Sequence, residues 1–143
     1  MLASKMKNKT FDEKYCFGNN FGETIFWNIT DMRKYINENN VPTRHYSVEE
    51  LFEENPSPVN KEYAHGLKQS KLGIIVELTN GDRNLLKLID GNHQLYKEKL
   101  SGNKTFGCYY FSYEEQIKFV VDIDGKPIPA EVYNKFIRRT IQS

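Results

Sequence analysis

Two apolar runs, residues 73–79 and 84–90, lie on either side of Asn80-Gly81-Asp82, and the second runs straight into Asp90-Gly91. Two strand-length runs joined by a glycine turn predict a β-hairpin. Leu85-Leu86-Lys87-Leu88-Ile89 is almost continuously apolar, which predicts a central strand covered on both faces. After Gly91 the spacing changes, with Leu95, Tyr96 and Leu100 marking a helix over 92–100, and Thr105–Phe111 reads as a third strand. Strand, helix and strand over 84–111 predict a right-handed crossover and a parallel pair. The chain is therefore expected to build a small mixed β-sheet.

Helices are expected around that sheet. Residues 31–39 read as one, capped by Thr30, with Met32, Tyr35 and Ile36 on one face. Ser47-Val48-Glu49-Glu50 and Ser112-Tyr113-Glu114-Glu115 have capping-box spacing, predicting helices to about Glu54 and Val121. Val59, Tyr63 and Leu67 repeat every four residues, predicting a helix over 59–69. A last helix from about Pro129 is expected to bury Val132, Phe136 and Ile137. The fold class is α/β (α+β), a small mixed sheet with several flanking helices. Residues 1–20, polar and rich in Asn and Lys, read as a flexible leader, and 21–143 as a single domain.

Charge and cysteine content narrow the function classes. Twenty Lys and Arg against 19 Asp and Glu leave a net charge of +1, so no broad basic face for duplex DNA is expected. The longest aliphatic run, Ile74-Ile75-Val76, is far too short for a membrane span. The basic start of the chain has no apolar stretch after it, and the two cysteines, Cys16 and Cys108, do not make a disulfide scaffold. Reduced thiols in a cytoplasmic protein are expected. The three histidines, His45, His65 and His93, show no metal-ligand spacing, so no metal site is expected.

One segment has the pattern of a ligand site. Where a strand ends in Asp90-Gly91 and a helix begins, the N–H groups of Gly91, Asn92 and His93 gather at a helix N-terminus, which favours an anion. Gly91 has no Cβ to block a close approach. The competing reading makes Asp90 a helix cap and Gly91 a turn residue. Asp90 and His93 also have the types of an orienting carboxylate and a base. Lys68 and Lys71 before the hairpin, and Arg44 on its strand, are the cations within reach of an anion there.

With the strand before it and Gly102 after the helix, Ile89-Asp90-Gly91-Asn92-His93-Gln94-Leu95 resembles the turn of the ParB/sulfiredoxin superfamily. The upstream layout, from Val41-Pro42-Thr43-Arg44-His45-Tyr46 to the hairpin, is similar too, so the resemblance covers roughly residues 41–111. It implies a ParB-like fold and a helix N-terminus that receives nucleotide phosphates. Gln94 stands where family members usually carry Arg, which removes a fixed charge and a bidentate fork. No Cys occupies the turn, so the sulfiredoxin nucleophile is missing.

The resulting expectation is a phosphate-bearing ligand, a nucleotide with or without Mg²⁺, bound by Gly91, Asn92, His93, Gln94, Arg44 and Lys71. Two alternatives stay open. One is a phosphoryl-transfer or nuclease-type enzyme using His93 and Asp90. The other is an inert protein-interaction module. No tight specific DNA binding and no membrane partner are expected, while a protein partner is allowed.

Overall fold

The computed structural model describes residues 12–54 and 71–141. The helix expected over 59–69, together with His65 and Lys68, lies outside the described residues, as do residues 1–11 of the expected leader.

The chain builds a mixed α/β fold from two sheets and flanking helices. Strand β1 (Lys14–Gly18) and β2 (Thr24–Asn28) form an antiparallel hairpin. Its turn is closed by Asn19, whose Oδ1 accepts from the N–H groups of Phe21 and Glu23. Helix α1 (Ile29–Glu38) follows at once, capped by Asn28, whose side chain accepts from the Asp31 N–H at 3.0 Å. Thr30 was the expected cap. Its hydroxyl instead accepts from the Glu13 N–H at 2.7 Å and ties the start of β1 to α1. The expected leader therefore ends early, because Lys14–Gly18 is a strand with Tyr15 and Phe17 packed on the core.

Next come β3 (Thr43–Ser47) and α2 (Val48–Glu54), where Ser47 Oγ accepts from the Glu50 N–H as the capping box requires. Beyond the undescribed segment lie β4 (Gly73–Thr79), β5 (Asn84–Asp90), α3 (Asn92–Leu100) and β6 (Thr105–Phe111). Helix α4 (Tyr113–Gln116), capped by Ser112, gives way to a single 3₁₀ turn. The two-residue β7 (Val120–Val121) and α5 (Ala130–Thr140) follow. The second capping box thus starts a much shorter helix than expected.

Strand β7 joins β2, giving a three-stranded sheet in the order β1-β2-β7. The other sheet has four strands in the order β3-β6-β4-β5. Two expectations change here. The inner apolar strand is β4, with Ile74, Ile75, Val76 and Leu78 all buried, whereas β5 is an edge. The parallel pair is β4 with β6, not β5 with β6. The β4–β5 hairpin reverses the chain, and α3 returns it to the far side of β4.

Both faces of the four-stranded sheet are covered. On one face Ile74, Val76, Leu78, Ile89 and Phe111 meet Trp27 of β2, Met32 and Ile36 of α1, and Tyr133, Phe136 and Ile137 of α5. On the other, Ile75, Leu88, Phe106 and Cys108 meet Val48 and Leu51 of α2 and Leu95 of α3. Val132, expected in the core, is exposed, and Tyr133 takes its place one position on. Among the described residues no helix is long and apolar enough to cross a membrane.

Candidate functional site

The strand-to-helix turn forms where the sequence places it. Gly91 has φ +103°, the left-handed region that a side chain strains to adopt, and α3 begins at Asn92 with the Leu95 N–H donating to Gly91 O at 2.8 Å. The absent Cβ leaves room for the protein's own backbone rather than for a ligand. A Cβ at Gly91 would lie 3.0 Å from Gly73 Cα and 3.4 Å from Phe106 Cζ. Gly73 is equally confined, with Asp90 O, Leu88 and Phe106 all at 3.0 Å from a Cβ built there. Glycines on β4 and at the turn let the two backbones touch.

Asp90 neither caps the helix nor orients His93. Its Oδ2 accepts from Arg33 Nε at 3.0 Å and from Arg33 Nη2 at 2.8 Å, and Nη2 also donates to Leu72 O at 2.8 Å. The pair is about a quarter exposed on each side, at 29% and 25%. It locks α1 to the ends of β5 and β4. Glu13 stands in the same field. Burial and the Asp90 charge push its carboxyl above the ordinary range, while Arg33 and Lys71 pull the other way. Two acids and two bases therefore share this edge. Nothing in the sequence links Arg33 or Glu13 to Asp90, which lies far along the chain from both.

The remaining expected residues divide. Lys71 belongs to this edge. Gln94 is buried, at 5% exposure, and its Nε2 donates to Glu98 Oε1 at 3.0 Å, so it faces its own helix. Its side chain is not part of an open anion site. His93 is half-buried and has a partner of its own, and it makes no hydrogen bond with Asp90. Arg44 is not brought to the turn. Strands β6 and β4 lie between β3 and β5, about 14 Å at the usual strand spacing. The edge is also the starting end of the parallel pair, at Gly73 and Thr105, not the carboxyl end where open α/β sheets usually take ligands.

Asp90 is held by the Arg33 guanidinium. Among the described residues no group of three or more His, Cys, Asp or Glu side chains converges on a metal position. A cleft of about 400 Å³ opens towards the start of β5, between Phe17, Leu78, Leu85 and Leu86, with Arg83, Lys87 and Glu54 completing its lining. In comparisons with known proteins the chain matches no family model, no curated protein and no solved structure.

Proposed function

We propose that the chain is a binding module for a phosphate-bearing small molecule, with a nucleotide as the first case to test, at the N-terminus of α3. The observation that carries this reading is the fate of Asp90. In α1 and α4 a polar side chain, Asn28 or Ser112, satisfies a first-turn N–H. At α3 the neighbouring carboxylate is drawn away by Arg33, and no side chain among the described residues caps the Asn92 and Gln94 N–H groups. Uncapped first-turn donors with the helix dipole behind them suit a phosphate oxygen. Lys71 adds a cation, and Arg33 neutralises the carboxylate that would otherwise repel the ligand. The contact set differs from the sequence expectation, with backbone donors and Lys71 in it and Arg44 and the Gln94 side chain out of it. The ParB/sulfiredoxin resemblance is part of the same proposal and is supported by the strand-to-helix turn at 89–95.

The test is an amide NMR titration with inorganic phosphate and with ATP, each with and without Mg²⁺. Saturable shifts at Asn92 and Gln94 are expected, weakened by Lys71→Glu in a folded protein. Amides that stay still throughout both titrations would overturn the proposal.

A further inference from the structure

We propose that Arg44, Tyr46, Tyr110 and Glu77 form a second, separate site that receives a planar carboxylate on the α2/α3 face of the four-stranded sheet. Arg44 and Tyr46 lie two apart on β3, so both side chains leave the same face. On neighbouring β6, Tyr110 projects to that face, and Glu77 of β4 completes the row. The pieces hold each other in order. The Glu77 main-chain carbonyl is fixed by the Gln116 amide, and its carboxylate accepts from the Tyr110 hydroxyl. The Tyr110 ring then carries the Arg44 guanidinium flat on its face, with Cζ 3.8 Å from the centroid.

A guanidinium stacked this way keeps its N–H rim in the plane, free to meet an acceptor edge-on. Arg44 is exposed and has no carboxylate partner among the described residues. Beside it the Tyr46 hydroxyl is enclosed, with the Arg44 guanidinium against its oxygen and no acceptor for its proton among the described residues. Buried hydroxyls are nearly always paired, so an O–H without an acceptor, next to a guanidinium without a carboxylate, marks the place of a missing acceptor. Burial holds both phenols in the neutral, donating form, with Tyr110 pushed up to about 12.

Charge selects the ligand. Arg44 is the site's cation and Glu77 its anion, so the empty site is close to neutral. A monoanion with two coplanar oxygens satisfies the guanidinium fork and the Tyr46 hydroxyl together. A phosphate dianion would bring a second negative charge close to Glu77. The site therefore fits a small carboxylic acid or the carboxylate end of a larger molecule, not the phosphate ligand of α3.

The experiment titrates the whole chain with acetate, benzoate and inorganic phosphate. It follows the Arg44 Nε–H, the Tyr46 and Tyr110 ring signals, and the Asn92 amide as a control for the other site. Both carboxylates are expected to move the Arg44 and Tyr46 signals saturably, and phosphate to move them far less. Arg44→Ala should weaken binding about tenfold or more, the scale of one charged hydrogen bond. Arg44→Lys should restore only part of it, because an ammonium keeps the charge and loses the fork. Tyr46→Phe should weaken it several-fold. A flat titration, or equal affinity in Arg44→Ala, overturns the proposal. Shifts at Asn92 alone also overturn it while leaving the phosphate site standing.

Discussion

Gln116 is fully buried, yet every polar atom of its amide is used. Its Oε1 accepts from Trp27 Nε1 at 2.9 Å and from the Tyr133 hydroxyl at 2.5 Å, and its Nε2 donates to Glu77 O at 2.5 Å. One side chain from a four-residue helix thus joins β2, α5 and β4. A buried amide tolerates this position only because all its partners are fixed. Gln116→Leu keeps the volume roughly constant but leaves an indole N–H, a phenol and a main-chain carbonyl without partners. With about 1–3 kcal/mol for each buried group left unpaired, and some relaxation, a loss of about 3–5 kcal/mol is expected. Urea unfolding checks it, and a loss below about 1 kcal/mol would show that water replaces the amide. The same scale explains Cys108, a buried thiol pushed up to about 12 by burial and therefore an inert core atom.

Among elements, the tie between α1 and the β5–α3 turn is electrostatic and should respond to pH. Glu13 hangs from α1 through its own backbone, its N–H on Thr30 and its carbonyl on Ile29. Its carboxyl is raised by burial first and by Asp90 second. A raised folded-state value means that the group favours folding below the ordinary glutamate range and loses that contribution as pH rises through the folded value. Side-chain carboxyl NMR should find Glu13 titrating above the ordinary range, and Asp90→Asn should bring it down. A midpoint that is the same in Asp90→Asn as in the wild-type chain would show that Asp90 does not reach it. Those ties were invisible in the sequence, since no local pattern brings Arg33 or Glu13 to Asp90. What the sequence did disclose is local. The hairpin over 73–90, the helix after Gly91, both serine caps and strand 105–111 follow from periodicity and turn chemistry within a few residues. Strand order did not follow, because an apolar run has the same sequence whether it ends at an edge or inside. Strand β1 has a signal, Tyr15 and Phe17 alternating with Lys14 and Cys16, but the polar residues around it mask it. At the candidate site the turn was legible and its contents were not. Arg44 and Gln94 have the right chemistry, but sheet order and the helix face direct them elsewhere.

At the scale of the whole molecule, the question is whether two sheets make one cooperative unit. Trp27, the single tryptophan, belongs to the three-stranded sheet and is fully buried. It stacks on Phe17 at 5.8 Å and meets the Tyr133 ring edge-on at 6.4 Å. The core around it continues without a break into Ile74, Val76 and Leu78 of the four-stranded sheet, with α1 and α5 spanning the junction. Neither sheet can expose its inner face without stripping apolar cover from the other, and at about 25 cal/mol per Å² that shared burial far outweighs any single polar tie. The two sheets should therefore unfold together. Trp27 fluorescence reports the smaller sheet and far-UV circular dichroism the whole fold, so their urea transitions should coincide in midpoint and steepness. If Trp27 becomes exposed at a clearly lower urea concentration than that at which dichroism is lost, the three-stranded sheet is a separable layer. The shared core would then be a contact between two units rather than the centre of one.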